Sequence, residues 1–307
     1  MLLVLNKDDR SVMLIDDISG QIMQTLIVGL NPHEAVVSPN GTVAYVSNAG
    51  DNTISIIDLK AREVIGMIRD EHWRFPHGLA ITEDGKYLWV AATRSHGIWI
   101  YEREPHNPTW HELVKVVPTQ HRMSHMVHFS PDGGRAYVPN IESGVLTVFD
   151  TATMEVINQL RVGPGPEGVA VHPLDGTLYV ANQGDDSLYV IDDRNYDRRH
   201  TLKLGSLPVR ASFTHDGELV LVSNRHSHDI SVISHRWDRA TATRQPWEIK
   251  RLPVGRWPGQ IVMAPDGNRA WVTNNKTNDV SEIDLRALTE VRRIRAGVHP
   301  DGMVWAP

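Results

Sequence analysis

His33, His77 and His125 each stand eight residues ahead of a glycine in the same local context, Gly41, Gly85 and Gly133. The next equivalent position, nine residues ahead of Gly176, holds Glu167, and the series continues through Val209 and Gly259 to Asp301 near the end of the chain. Neutral imidazoles and a carboxylate brought together from separate strands form a donor set for a borderline divalent metal, with bonds to histidine nitrogen of about 2.0–2.1 Å. Such an ion with open positions polarises a carbonyl or generates hydroxide near neutral pH. His33, His77, His125 and Glu167 are therefore expected to be metal ligands, the metal unspecified, with Glu34 supporting His33. Without a metal, His125 can serve as general base with Glu167 orienting it. Arg210, one residue after Val209, is expected to clamp an anionic substrate.

A second set of polar residues follows the strand that comes after each turn glycine: Arg94 and His96, Asn140, Gln183, and Arg225, His226 and His228. If each glycine turn joins two antiparallel strands, these residues return to the same end of the molecule as the histidine series. His128 and His172 fall within or just beyond the first strand and are expected to be hydrogen-bonded structural groups.

The elements that position these residues are read from a repeat. The phrases SPNGTVAYVSNAGDNTISIID, TEDGKYLWVAATRSHGIWIYE, SPDGGRAYVPNIESGVLTVFD, HPLDGTLYVANQGDDSLYVID, THDGELVLVSNRHSHDISVIS and APDGNRAWVTNNKTNDVSEID recur with turn glycines 41 to 50 residues apart. Asp-Gly or Asn-Gly between short β-branched and aromatic runs marks a hairpin, because glycine supplies the positive φ the turn requires. A short apolar run precedes each turn (EAVV, GLAI, MVHF, GVAV, RASF, QIVM), and a fourth run such as EVIGMI or EVINQL supplies an outer strand. Four strands per repeat make a propeller blade.

The N-terminal LLVLNKDDRSVMLIDDISGQIMQTLIV contains three strands without a first, and the tail DGMVWAP a first strand without followers. Together they complete a seventh blade and cover two edges that would otherwise be unpaired. The expected fold is all-β: one seven-bladed β-propeller domain over residues 1–307, with insertions at Glu102–Arg122 and His235–Lys250 forming loops or lengthened outer hairpins.

Composition narrows the function classes. The chain of 307 residues has no cysteine, which excludes disulfides and thiolate ligands. A net charge of -6 lacks the basic footprint of a nucleic-acid binder, and no apolar run is long enough to span a membrane. The N-terminal apolar stretch is too short for a secretion signal and has no basic residues before it, so a cytoplasmic location is expected. There is no nucleophile elbow, no P-loop, no dinucleotide fingerprint and no c-type haem attachment.

The phrases YVSN, YVPN, YVAN, LVSN and WVTN, each followed by a polar turn and a further strand, resemble the YVTN family of β-propeller repeats over essentially the whole chain. The resemblance implies fold more than function. It covers surface-layer, haem d1-associated and quinoprotein-like propellers, and leaves a His-ligated haem or quinone open. Asn48, Asn140, Asn182, Asn224 and Asn274 are expected to hold their turns through side-chain to backbone hydrogen bonds.

A narrower resemblance, SHMVHFSPDGGRAYVPN from Ser124 to Asn140, is to seven-bladed lactonases of the 6-phosphogluconolactonase and muconate-lactonising type, in which His125 would match a histidine opening the inner strand. The arginine and glutamate those enzymes carry in the next blade are replaced here by Glu167 and Gln183, so that residue set is not retained.

Three readings follow. The first is a metal-dependent enzyme acting on a small anionic molecule, with His33, His77, His125 and Glu167 holding a divalent ion. The second is a platform for a protein partner, with Trp73, Trp110, Trp237 and Trp257 as exposed anchors. The third is a metal-free, lactonase-like hydrolase or lyase using His125.

Overall fold

A computed structural model describes residues 1–235, 237–238, 243–244 and 246–307, the side chains of residues 237–238 and 243–244 excepted. It is a seven-bladed propeller of four-stranded antiparallel sheets. Blade 1 runs Pro32–Val37, Val43–Asn48, Thr53–Asp58, Glu63–Arg69 from the axis outward. Blades 2 to 6 open on Pro76–Ile81, His128–Phe129, Pro166–Val171, Pro208–Phe213 and Pro258–Met263. In blade 7, Pro300–Trp305 is the inner strand and pairs antiparallel with Leu2–Asn6, with Leu2 opposite Trp305 and Val4 opposite Met303.

The turn glycines behave as their chemistry requires: φ at Gly41, Gly85, Gly133, Gly176, Gly217 and Gly267 lies between 68° and 75°. The two insertions are outer hairpin extensions. Gly97–Glu104 pairs with the long strand Asn107–Pro118, and Trp237–Asp238 pairs with Thr243–Arg244. Trp237, proposed as an exposed anchor, has its side chain outside the described part. Trp73, also expected to be exposed, is fully buried between blades 1 and 2, where its indole donates to the carbonyl of Asn52 at 2.9 Å. Trp110 is exposed and Trp257 partly so.

The core is divided into clusters, each lying where one blade packs on the next, as with Val4, Ile15, Trp271 and Val280 between blades 7 and 6. This division leaves the axis free for polar groups. At the rim the repeat asparagines act differently from expectation. Asn48 Nδ2 reaches the hydroxyls of Thr53 (3.0 Å) and Ser55 (2.9 Å), and Asn274 Nδ2 reaches Asp279 Oδ1 (2.7 Å) and Ser281 Oγ (2.8 Å). These asparagines strap the second strand to the third through side chains; Asn140 and Asn182 add the backbone carbonyls of neighbouring strand residues. Among the described residues, no helix is long and apolar enough to cross a membrane.

Candidate functional site

The residue that opens each inner strand faces the channel at one end, and the blade order places His33, His77 and His125 side by side. Their rings form a row, with centroids 4.8 Å apart for His33 and His77 and 3.7 Å for His77 and His125. All three are buried. Burial, which disfavours the charged imidazolium, lowers the pKa of His33 to about 4 and holds His77 and His125 well below the ordinary value. The imidazoles are therefore neutral at pH 7. His33 Nδ1 lies 2.9 Å from the carbonyl of Asn31, and His125 Nδ1 lies 3.4 Å from the Thr93 hydroxyl. His77 Nδ1 is buried with no hydrogen-bond partner.

Beside this row lies a buried charge network. Arg210 donates from Nη1 to Glu167 Oε1 at 2.6 Å, from Nη2 to Glu34 Oε1 at 2.7 Å, and from Nε to Gln260 Oε1 at 3.2 Å. Burial opposes its charge, but Glu34, Glu167 and Asp301 outweigh it and keep the guanidinium protonated. Burial also pushes the Glu34 carboxyl up despite Arg210. Glu167 Oε1 stands 3.8 Å from His125 Nε2. Asp301 lies 3.3 Å from Lys7 Nζ and 3.5 Å from Arg225 Nη2; against the effect of burial, these cations hold its carboxyl well below the usual range.

The inner strands can deliver these groups because the position after each opening residue is glycine in three blades. A Cβ on Gly78 would stand 2.5 Å from the Met126 backbone, and one on Gly168 would stand 2.7 Å from the carbonyl of Val209. The four other blades place Glu34, Met126, Arg210 and Gln260 at this level. At the opposite end of the channel a cavity of about 470 Å³ is lined by His128, Phe129, Phe213, His215, Arg210 and Gln260. Arg210 thus lies between the histidine row and this cavity. His128, expected to be hydrogen-bonded, has a buried Nε2 without a partner, and burial lowers its pKa to about 4.

The site differs in several respects from the sequence expectation. The three histidines do come together, with Glu167 beside His125. Among the described residues, however, the group of three or more ligating side chains whose donor atoms all lie within 4.8 Å of one another is His172, Asp175 and His235, on the other face. Arg210 is not an open anion clamp, because its guanidinium is already held by two carboxylates. Arg94 stacks over the Phe75 ring at 4.7 Å, and Phe75 in turn packs on His33. His96 and His228 are taken up in loop structure: His96 Nδ1 accepts from the Met123 amide at 3.0 Å, and His228 Nδ1 lies 3.0 Å from the Arg225 carbonyl.

Lys7, Thr93 and Gln260 were not singled out from the sequence. Lys7 follows Asn6 as Arg225 follows Asn224, and Gln260 follows Gly259 as Arg210 follows Val209, so the repeat register itself carries the signal.

Comparison with known proteins places the fold in a wider group. The chain spans less than half the length of the curated relatives it matches. One is antigen Lp49 of Leptospira interrogans, 22% identical over 63% of this chain and 45% of that protein. Among solved structures, the chain is similar to the periplasmic gluconolactonase of Pseudomonas aeruginosa, with TM-score 0.79, 18% identity, and 100% of this chain and 98% of that chain covered. It is also similar to a putative 6-phosphogluconolactonase of Bacteroides fragilis, with TM-score 0.79, 15% identity and the same coverage of 100% and 98%. These likenesses, at such identities, are likenesses of fold. A family model for YNCE-like β-propellers matches residues 1–306, and the chain belongs to that family.

Proposed function

We propose that this propeller is an enzyme that performs acid–base hydrolysis on a small anionic molecule with a lactone-type carbonyl, bound at the histidine end of the channel, with His125 as general base. The observation that carries this reading is the pairing of a neutral, buried His125 with Glu167, whose charge is balanced by Arg210. A neutral imidazole can take a proton from water as that water adds to the carbonyl carbon. Glu167 at 3.8 Å is placed to stabilise the imidazolium that results, which returns its proton to the leaving alkoxide. Thr93 orients the ring through Nδ1. Glu34, Glu167 and Asp301 face Arg210, Lys7 and Arg225, so the inner site is balanced, and Arg94 outside it supplies the attraction for an anion. A small lactone as substrate is supported by the two lactonase structures of similar fold, although the catalytic residues differ from those implied by the sequence resemblance.

The test is turnover of a panel of sugar-acid lactones by chelator-treated protein and by His125→Ala. Turnover that survives the chelator and falls in the variant by about the 10²–10⁴-fold expected for loss of a general base supports the reading. An unchanged His125→Ala rate, or no turnover of any lactone, overturns it.

A second reading, a divalent ion on His33, His77 and His125 with Glu167, is favoured by the buried, unpartnered Nδ1 of His77 between two other neutral imidazoles. It needs ring rotations to bring the donor atoms together. Activity abolished by the chelator, restored by Zn²⁺, and bound metal lost in a His33/His77/His125 triple alanine variant would establish it in place of the first.

A further inference from the structure

We propose that the cavity at the end of the channel opposite the histidine row is a binding site for a small, uncharged aromatic amide. The site is separate from the proposed hydrolytic centre and does not depend on it.

The sequence of blade 4 sets back one wall of this cavity. His128, Ala170 and Ser212 hold the same register position in blades 3, 4 and 5, opposite Tyr137, Tyr179 and Leu221 of the second strands. The other four blades carry Val36, Ala80, Val262 and Val304 at this level. His128 and Ser212 are therefore its polar side chains, and they flank the small Ala170. One level nearer the histidine row, Gly168 admits no side chain, because a Cβ there would stand 2.8 Å from the Arg210 Cα. The resulting space of about 470 Å³ falls in the range of about 300–1,000 Å³ found for small-molecule pockets.

Charge decides against an ionic ligand. Of the side chains lining the cavity, Arg210 is the permanently charged one, and its Nη1 and Nη2 are committed to Glu167 and Glu34. An anion would meet two carboxylates behind one guanidinium, and an ammonium would find no carboxylate in the lining. Burial keeps the His128 ring neutral at pH 7.

The hydrogen-bonding groups that remain match an amide. Arg210 Nε only donates, so the side-chain oxygen of Gln260 faces it at 3.2 Å and the amide nitrogen of Gln260 keeps two protons to give. His128 Nε2 is buried without a partner, and the neutral ring carries one N–H and one lone pair. The Ser212 hydroxyl can donate or accept. A carboxamide oxygen accepts from Gln260, and its nitrogen donates to His128 or Ser212. Phe129 and Phe213 border the same space, each fixed by an edge-to-face contact, with Trp89 at 5.6 Å and with Tyr179 at 5.0 Å. A flat ring packs against such rings in offset or edge-on geometry and has few internal rotations to lose.

The test is titration of the full-length chain with benzamide, followed by calorimetry and saturation-transfer NMR, with benzoate and benzylamine as charged counterparts of similar shape. The comparison set is wild type, Ala170→Leu, His128→Phe and the His33/His77/His125 triple alanine variant, with thermal melting without ligand to confirm that each is folded. One saturable benzamide site per chain is expected in the wild type and in the triple variant, with benzoate and benzylamine at least about 100-fold weaker for want of a counter-charge. Ala170→Leu, which fills the recess, should weaken benzamide by about tenfold or more. His128→Phe, which keeps the ring shape and removes a hydrogen bond, should weaken it by about 3–10-fold. No saturable benzamide binding by the wild type, equal affinity for benzoate or benzylamine, unchanged affinity in His128→Phe or in folded Ala170→Leu, or binding lost in the folded triple variant would each overturn the proposal.

Discussion

Arg210 Nη2 donates to Glu34 Oε1 at 2.7 Å across the channel, joining residues 176 positions apart in the chain. With the second bond to Glu167 it ties blades 1, 4 and 5 together at the axis, where the hydrophobic clusters do not reach. Removing one member of such a group leaves a buried charge without its counterpart.

Arg210→Met should therefore lower unfolding stability by about 3–5 kcal/mol, because Glu34 and Glu167 remain as buried carboxylates. The triple variant Arg210→Met, Glu34→Gln, Glu167→Gln should recover most of that loss. Urea denaturation of the two variants beside wild type is the measurement.

Stability should fall as the pH drops from about 6.5 to about 4. His33 and His128 have folded pKa values near 4 against an ordinary value of 6.5, so in this window the unfolded chain takes up protons that the fold refuses. Each contributes up to about 3 kcal/mol, fully present above 6.5 and lost on the way down. His77 and His125 act in the same sense. Glu34, with its carboxyl pushed up by burial, opposes them, and the depressed Asp301 adds a further loss only below its ordinary value of 3.8. Melting temperature against pH should flatten in His33→Gln and His128→Gln.

Gly163→Ala should cost about 1–3 kcal/mol, since a Cβ there would stand 2.6 Å from Asn182 Cγ and 2.7 Å from its Nδ2. Asn182 is buried and strapped to Ser187 at 3.2 Å, so it cannot move aside. Asn182→Ala in the same background should relieve the contacts with Cγ and Nδ2, though not that with Cβ at 2.9 Å, giving a cost smaller than the sum of the two single changes. Chemical denaturation of both singles and the double reads this coupling.

Deleting residues 300–307 should abolish cooperative folding. The deletion removes the inner strand of blade 7 and exposes the edge of Leu2–Asn6, whose residues Leu2 to Leu5 are buried. Circular dichroism melts and size-exclusion chromatography are expected to show a non-cooperative, self-associating chain.

The number of blades, their strand composition and the closure of the ring were legible in the sequence because each rests on local chemistry repeated in register. Asp-Gly turns force hairpins, strand alternation follows from the side-chain period, and an incomplete repeat at each end implies pairing of the ends. The same register brought out His33, His77, His125, Glu167 and Asp301, since equivalent positions of a closed repeat must meet at one axis.

What each side chain does once there was decided by the tertiary structure. Arg210 could not be known from the sequence to be spent on Glu34 and Glu167, because that depends on which neighbouring positions are glycine and how closely the inner strands approach. Trp73 resembles an exposed anchor in sequence and is buried by the packing of blade on blade. His172 and His235 are 63 positions apart, in different repeats and at non-equivalent positions, so no periodicity links them. Only the contact between blades 4 and 5 brings them to either side of Asp175.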